Sequence, residues 1–557
     1  MTRVRGLAAA GLLVGLSAIP VLAGAAETAP APRITSAAWV TTGKDEPVER
    51  SYTSPSVVVD PDNPRLAYAA SVDIRSTACV LLRSADGGRN WTKAKGTPAP
   101  TAFPKCTHDN GLIPMPFLAM GRGGTLNFLH IGWDVQDGGR SENRSVFVER
   151  SRDGGETWQS TPVNINRGKT GNDIEKNVPS DLVVDTRGRQ DIVYAAYSAS
   201  YPNPTTPPTK PTQPFVAVSV DGGQTFGKPV NISDSFYADP NGLPNDLAAE
   251  QRKRENFGGS GINLAVDGKG SVFASWNRSS ANITPLAPPT ATYVAKTTDK
   301  GATWASTLLQ APNPDQTGPG GLQFDWSPAG GANGSLHVVW EGKPTTVQGD
   351  RDVLYKRSTD QGRTWSDVNA LNDDDPAQLH PQYQPNLAVG PDGRVEVVWW
   401  DFRDAAGLIA TDVYGTTSHD GGATWTPNVR VTDQLINRRI GVWKPGFGGD
   451  VRQPPGVGAG DGLTVVVWDD TRNGNLQVET VDLYAATLQY QALGRTRGLP
   501  RAAGYALGAA IGIAGVGLLM VIGATLLRGR RGPHEPAAPP RRAGRRSESA
   551  ETEKVDD

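Results

Sequence analysis

A closed ring of repeated four-stranded sheets, an all-β propeller of seven blades, is the fold class this 557-residue sequence predicts. Three observations predict it. An eight-residue phrase recurs six times, a Val/Ile-rich hairpin recurs seven times, and one unpartnered strand-like stretch stands at the start. A supersecondary unit copied along a chain buries its core against its neighbours, so the copies must stack or close on one another.

The phrase reads SADGGRNW (84–91), SRDGGETW (151–158), SVDGGQTF (219–226), TTDKGATW (297–304), STDQGRTW (358–365) and SHDGGATW (418–425). Its pattern is Ser/Thr-x-Asp-x-Gly-x-x-Trp/Phe, at spacings of 60 to 78 residues. Each copy has the chemistry of a hairpin turn. Asp86, Asp153, Asp221, Asp299, Asp360 and Asp420 can accept backbone N–H bonds as in Asx-turns. The Gly two positions on permits φ > 0. The closing Trp or Phe can bury a large apolar face between sheets.

This phrase resembles the Asp-box, or BNR repeat, of sialidases and related β-propellers. Five copies match at every motif position and the third carries Phe226 in place of Trp. The resemblance implies that each box sits between the third and fourth strands of a blade, on the face opposite the substrate. The six aspartates are then expected to be turn formers, not catalysts.

The hairpins precede the boxes. They include SVVVDPDNPRLAYAASVD, INLAVDGKGSVFASWNR and PNLAVGPDGRVEVVWWDFRD, and the seventh is GVGAGDGLTVVVWDDTRN. Val/Ile-rich runs around Asp/Gly turns are hairpin signals. The seventh is followed by NLQVETVDLYAATLQ, a third strand without a box. The orphan ITSAAWVTTG (34–43) is expected to supply the missing fourth strand by pairing within 475–490. Six blades, as in the sialidases, is the alternative.

The ends divide the rest of the chain. Residues 1–25 read as a secretory signal peptide and 26–33 as an Ala/Pro-rich linker before the propeller at 34–490. A second linker, 491–501, leads to the uncharged run 502–527, which is long enough for a transmembrane helix. Arg528, Arg530 and Arg531 follow it and mark a cytoplasmic tail at 528–557, of disordered composition. The expectation is a single-pass cell-membrane protein with its propeller outside. Gly504, Gly508 and Gly512 offer a small-residue dimer face, with chance spacing an equal explanation.

A net charge of −2 gives no basic footprint for nucleic acid. The two cysteines, Cys79 and Cys106, are expected to pair outside the cell. They are too few for a metal site, and no cofactor is expected.

With boxes on one end, strand order sends the second-to-third loops and the interblade loops to the other. Those loops hold Arg278, Glu341, Tyr383, and the near copies WDFRD and WDDTRN with Asp401, Arg403, Asp470 and Arg472. Arginines there could grip a ligand carboxylate through paired N–H bonds. An Asp and an Arg two apart can equally brace their own loop, and recurrence in two blades favours the brace. The indoles Trp276, Trp340 and Trp400 could line a pocket floor or pack the core.

The sialidase resemblance implies three arginines, a Tyr nucleophile polarised by a Glu, and an Asp acid/base. Residue by residue it thins. The Arg-Ile-Pro phrase survives only as Arg33-Ile34-Thr35, and the Glu of the Glu-Leu-x-Asp-Gly hairpin is Leu264. The hairpin still leads to Arg278, and Tyr383 is a Tyr in a loop of the right face. The favoured function is a recognition propeller for a glycan, envelope or protein ligand outside the cell. The alternative is an exo-sialidase-like glycoside hydrolase with a rearranged site.

Overall fold

Seven antiparallel blades follow one another along the chain, the second and third joined into one sheet by a parallel pairing of Lys176 with Arg144. The computed structural model describes residues 31–41, 50–76, 78–94, 116–135, 142–159, 163–166, 176–200, 213–233, 261–278, 291–310, 320–342, 350–441 and 453–490. Blade one is Tyr52–Val59, Ala67–Asp73, Ala78–Ser84 and Thr92–Lys93. Blade two is Phe117–Met120, Leu126–Val135, Glu142–Ser151 and Val163–Asn164. Blade three is Lys176–Asp185, Ile192–Ser200, Gln213–Ser219 and Val230–Asn231. Blade four is Asn263–Val266, Val272–Arg278, Ala291–Thr297 and Ala305–Gln310. Blade five is Gly320–Ser327, Ser335–Gly342, Asp352–Ser358 and Asn369–Ala370. Blade six is Gln382–Val389, Val395–Asp401, Ala410–Ser418 and Val429–Arg430, with Ile436–Asn437 added to its third strand.

Blade seven shows how the ring closes. Gly456–Gly460, Leu463–Asp470 and Asp482–Gln489 are three strands from the end of the propeller. The fourth comes from its beginning: Arg33 pairs with Gln489, Ile34 with Leu488, Ala38 with Ala485 and Trp39 with Tyr484. The expected partnership of the orphan strand is present, and the propeller has seven blades.

First strands of neighbouring blades touch all the way round, including blade seven on blade one. They therefore surround the axis. Each blade is sandwiched between two others, so its middle strands are buried on both faces. That is why AYAASVD, VEVVWWD and LTVVVWDD read as unbroken apolar runs, not alternations. Seven buried clusters fill the seven blade-to-blade interfaces, one each. At the closing seam the first strand of blade seven is Gly-Val-Gly-Ala-Gly. A Cβ at Gly456 would lie 2.5 Å from the carbonyl oxygen of Pro55, so the two first strands approach as only glycine allows.

One part of the predicted fold is corrected. Among the described residues the helical turns are Arg122–Gly124 and Ala406–Leu408, and no helix is long and apolar enough to cross a membrane. The expected C-terminal transmembrane helix is not supported, and the single-pass cell-membrane placement built on it is withdrawn. The run 502–527, its Gly504, Gly508 and Gly512, the tail and the signal segment all lie outside the described residues. Cys79, in the third strand of blade one, is disulfide-bonded; Cys106 lies outside the described residues.

Candidate functional site

The six boxes each join the third strand of a blade to its fourth, in blades one to six. Their side chains are consumed in making the turn. In the first, Ser84 Oγ donates to Asp86 Oδ1 at 2.9 Å and accepts the N–H of Gly88 at 2.8 Å. Asp86 Oδ1 also accepts the N–H of Asn90 at 2.9 Å. The same bonds recur in every copy. A further one was not legible in the motif: the seventh residue donates its side chain to the second carboxylate oxygen. Asn90 does so at 2.6 Å, and Thr157, Thr225, Thr303, Thr364 and Thr424 at 2.5–2.7 Å. Hydroxyl and N–H donors from Thr157 and Thr303 hold Asp153 and Asp299 down to about 2. These aspartates are braces, so chemistry must be sought at the other end.

There, Arg403 and Arg472 do the same job in blades six and seven. Asp401 is buried and accepts the backbone N–H of Arg403 at 2.8 Å, its Nε at 3.0 Å and the indole N–H of Trp399 at 2.8 Å. Asp470 accepts the N–H of Arg472 at 2.9 Å, its Nη2 at 2.7 Å and the indole N–H of Trp468 at 2.9 Å. Each guanidinium then takes a second carboxylate, Asp373 at 2.7 Å or Asp433 at 2.8 Å. Each also lies over a ring, Tyr414 at 4.4 Å or Tyr484 at 3.9 Å. Burial raises the pKa of Asp401, and Arg403 offsets it in part. The two near-copied phrases are loop braces whose arginines are already occupied by acid.

Tyr383 and Glu341 do come together. Glu341 Oε1 accepts Arg351 Nη1 at 2.5 Å, and its Oε2 accepts the backbone N–H of Gln384 at 2.8 Å. Tyr383 is half-buried, with Arg351 5.7 Å from its ring centre and Phe402 packed edge-on at 5.8 Å. Burial raises the Tyr383 pKa, with Arg351 opposing it. The phenol is therefore protonated at neutral pH. Leu264 packs in the core between blades three and four, where the resemblance would put a Glu. Trp276, Trp340 and Trp400 are core residues, each no more than 2% exposed. Arg33-Ile34 belongs to the closing strand. Arg278 ends the second strand of blade four opposite Ala291, and its side chain is outside the described part of the structure.

The feature the sequence reading missed is a set of bulges where first strands enter the ring at this end. Register slips between Thr53 and Ser56, Pro179 and Asp181, Gly320 and Gln323, and Tyr383 and Asn386. Ser54 and Gln384 adopt left-handed backbone, φ 57° and 48°, each immediately before a proline. Steric conflict makes such a conformation costly for any residue with a Cβ. A partial signal was present: a proline lies at the bulge inside the first strand of blades one, three and six, at Pro55, Pro179 and Pro385, and one directly precedes the first strand of blades two and seven, at Pro116 and Pro455. Proline suits this edge because it has no N–H to offer toward the unpaired axis.

The fold and these loops define a seven-bladed β-propeller whose first strands are bulged at the end opposite its turn-braced one. No protein-family model and no curated protein matches the chain. Similar solved structures include the α-L-arabinanase of Penicillium chrysogenum complexed with arabinobiose, at 17% identity and TM-score 0.41, covering 66% of this chain and 94% of that one. They also include the Trypanosoma rangeli sialidase, at 14% identity and TM-score 0.41, covering 70% of this chain and 57% of that one. A PL25 ulvan lyase is similar at 10% identity and TM-score 0.43, covering 78% and 93%. These are distant likenesses of chain path.

Proposed function

We propose that this propeller is a recognition module of sialidase-like type that binds a polyhydroxylated ligand, a glycan, at the end opposite the box turns, around Tyr383, Arg351 and Glu341. The observation that carries the reading is the pair of strained bulges, Ser54-Pro55 and Gln384-Pro385. Strain held at one rim of a rigid scaffold collects at binding sites. The second bulge also fixes Glu341 through the Gln384 N–H. A half-buried tyrosine beside an arginine and a glutamate offers a stacking face with donors and acceptors, which suits sugar hydroxyls.

The chemistry favours binding without turnover. Arg403, Arg472 and Arg351 each already hold a carboxylate, so an acidic ligand would have to displace one. Glu341 is not free to act as a base for Tyr383, because both of its oxygens are engaged. A tyrosine with a raised pKa is a poor nucleophile at neutral pH. The test is a glycan array together with fluorogenic sialosides and arabinosides. Binding that falls at least tenfold in Tyr383→Ala, with no turnover, is the expected result. Rapid release of fluorophore by the native protein would replace this reading with the hydrolase.

A further inference from the structure

We infer that the outer ledge of blades six and seven, at the same end of the ring, docks a polypeptide segment that presents basic side chains around apolar ones. The ledge adjoins the surroundings of Tyr383 through Phe402 and Arg438, but the side chains that carry this inference are other than Tyr383, Arg351 and Glu341, and it does not depend on the glycan reading. Eight large hydrophobic residues are exposed among the described residues. Five of them, Leu379, Leu408, Ile409, Leu435 and Leu476, sit on loops of this one end. Hydrogen bonds tie three of those loops together. The Arg438 N–H donates to the Ile409 carbonyl at 2.9 Å, and Thr471 Oγ1 donates to the Asn437 carbonyl at 3.1 Å. Leu408, Ile409, Leu435 and Leu476 therefore stand on one continuous support. Clustered exposed aliphatics on such a support mark interaction sites, whereas single ones are ordinary.

Leu408 strengthens the point. It follows Gly407 in left-handed backbone, at φ 58°, and the residue is 38% exposed. The conformation is unfavourable for a residue with a Cβ. The fold leaves more than a third of its surface open to solvent. An exposed leucine held there is explained by something that covers it.

Charge selects the occupant. The ion pairs of the ledge are tilted. Arg403 is 13% exposed where its partner Asp373 is 48%, and Arg472 is 15% where Asp433 is 45%. The guanidinium groups are sunk and the carboxylates protrude. Asp373, Asp375, Asp404 and Asp433 are exposed against a single exposed guanidinium, Arg439, among the described residues of these loops. A sugar offers neither cation nor large apolar group. An anionic bilayer and a second copy of this chain would both bring negative charge to negative charge. A segment of apolar residues flanked by Lys or Arg satisfies leucines and carboxylates together.

The experiment uses the full chain and two synthetic peptides as probes, one alternating Leu with Lys and one alternating Leu with Glu. The Leu/Lys peptide should bind, weaken as salt rises, and lose at least tenfold in affinity in Leu408→Ser/Leu435→Ser. Asp373→Asn/Asp433→Asn should remove most of the salt dependence. Tyr383→Ala should leave this peptide unaffected, which separates a failure here from a failure of the glycan site. Equal binding of the Leu/Glu peptide, or full binding by the Leu408→Ser/Leu435→Ser protein, would overturn the inference. Dimers that disperse in that variant would assign the ledge to a second copy instead, and retention on anionic vesicles would assign it to lipid.

Discussion

At position four of every box the backbone is left-handed. Gly87, Gly154, Gly222 and Gly421 take φ between 69° and 76°, but Lys300 and Gln361 take 60° and 65° with a Cβ in the way. Gln361 recovers something, since its side chain accepts Lys296 Nζ at 2.8 Å. Lys300→Gly should therefore raise stability by about 1 kcal/mol, read as the shift in a denaturant midpoint, with Gln361→Gly close to neutral. The second glycine of the box does other work: it docks on the preceding blade. A Cβ at Gly155 would lie 3.0 Å from Leu81, at Gly223 2.7 Å from Asn127 Oδ1, and at Gly422 it would overlap Tyr355 Oη. Tyr355 cannot yield easily, because its hydroxyl is bonded to buried His337 at 2.8 Å. Gly422→Ala should cost about 3 kcal/mol or more in thermal and chemical unfolding. Gly407→Ala is the control: the same sign of φ, but nothing within 4 Å, so about 1 kcal/mol. A similar cost at the two sites would mean that the box does not clamp neighbouring blades.

The turn is the element on which most of the fold was legible. Ser/Thr, Asp and Gly in fixed order demand one hydrogen-bonded turn, and six copies demand six similar places to put it. The seventh residue escaped the motif because Asn and Thr look unlike as letters, although both donate to Asp Oδ2. The loops at the other end were legible only as chemistry. WDFRD contains an Asp and an Arg in pairing distance, but nothing in the letters says whether the Arg faces a ligand or its own Asp. That depends on Asp373, which arrives from the interblade loop of another blade. The bulges were illegible because register is a property of two strands, and a proline marks only one of them. The turns also predict an acid limit. Asp153 and Asp299 titrate at about 2 in the fold, against about 3.9 in an unfolded chain. For a depressed carboxylate, the stabilisation is present above the unfolded value and is lost as pH falls through the folded one. Melting temperature should hold down to about pH 4 and then decline toward pH 2. Asp299→Asn should melt lower at pH 6 and decline less steeply below pH 4. A parallel pair of curves would show that Asp299 does not contribute to acid sensitivity.

The ring as a whole is held by links between first strands and by its closing seam. Ser56 Oγ accepts the Leu118 N–H from blade two at 3.1 Å, Asp181 accepts the Leu264 N–H from blade four at 2.6 Å, and Asn386 Nδ2 donates to the Pro455 carbonyl of blade seven at 2.9 Å. Asp325 serves blades five and six, and burial lifts its carboxyl to about 7. A raised carboxylate works in the opposite sense to the box aspartates: its penalty is absent below the unfolded value, grows as pH climbs toward the folded one and is complete above it. Stability should therefore carry a downward contribution between about pH 4 and 7, and Asp325→Asn should remove it in pH-dependent unfolding. Closure of the ring is the larger matter. The seventh blade borrows 31–41, whose Val40 is fully buried against blade one and whose Thr41 donates to Asp482 at 2.8 Å. Arg50 holds the same carboxylate at 2.6 Å, so one buried Asp carries both sides of the seam. Removing 31–41 would bare the edge of Asp482–Gln489, uncover Val40's place in the core and leave Asp482 with one partner fewer. Burial of a valine-sized side chain alone is worth about 1.5–3 kcal/mol, and an unpaired strand edge invites aggregation. The truncated chain should melt several degrees lower and aggregate on heating. A synthetic peptide of residues 31–41 added in excess should restore most of the loss by taking the vacant edge. If the truncated chain melts like the full one, blade seven is stable with three strands, and the borrowed strand is a cover for the edge and not the lock of the ring.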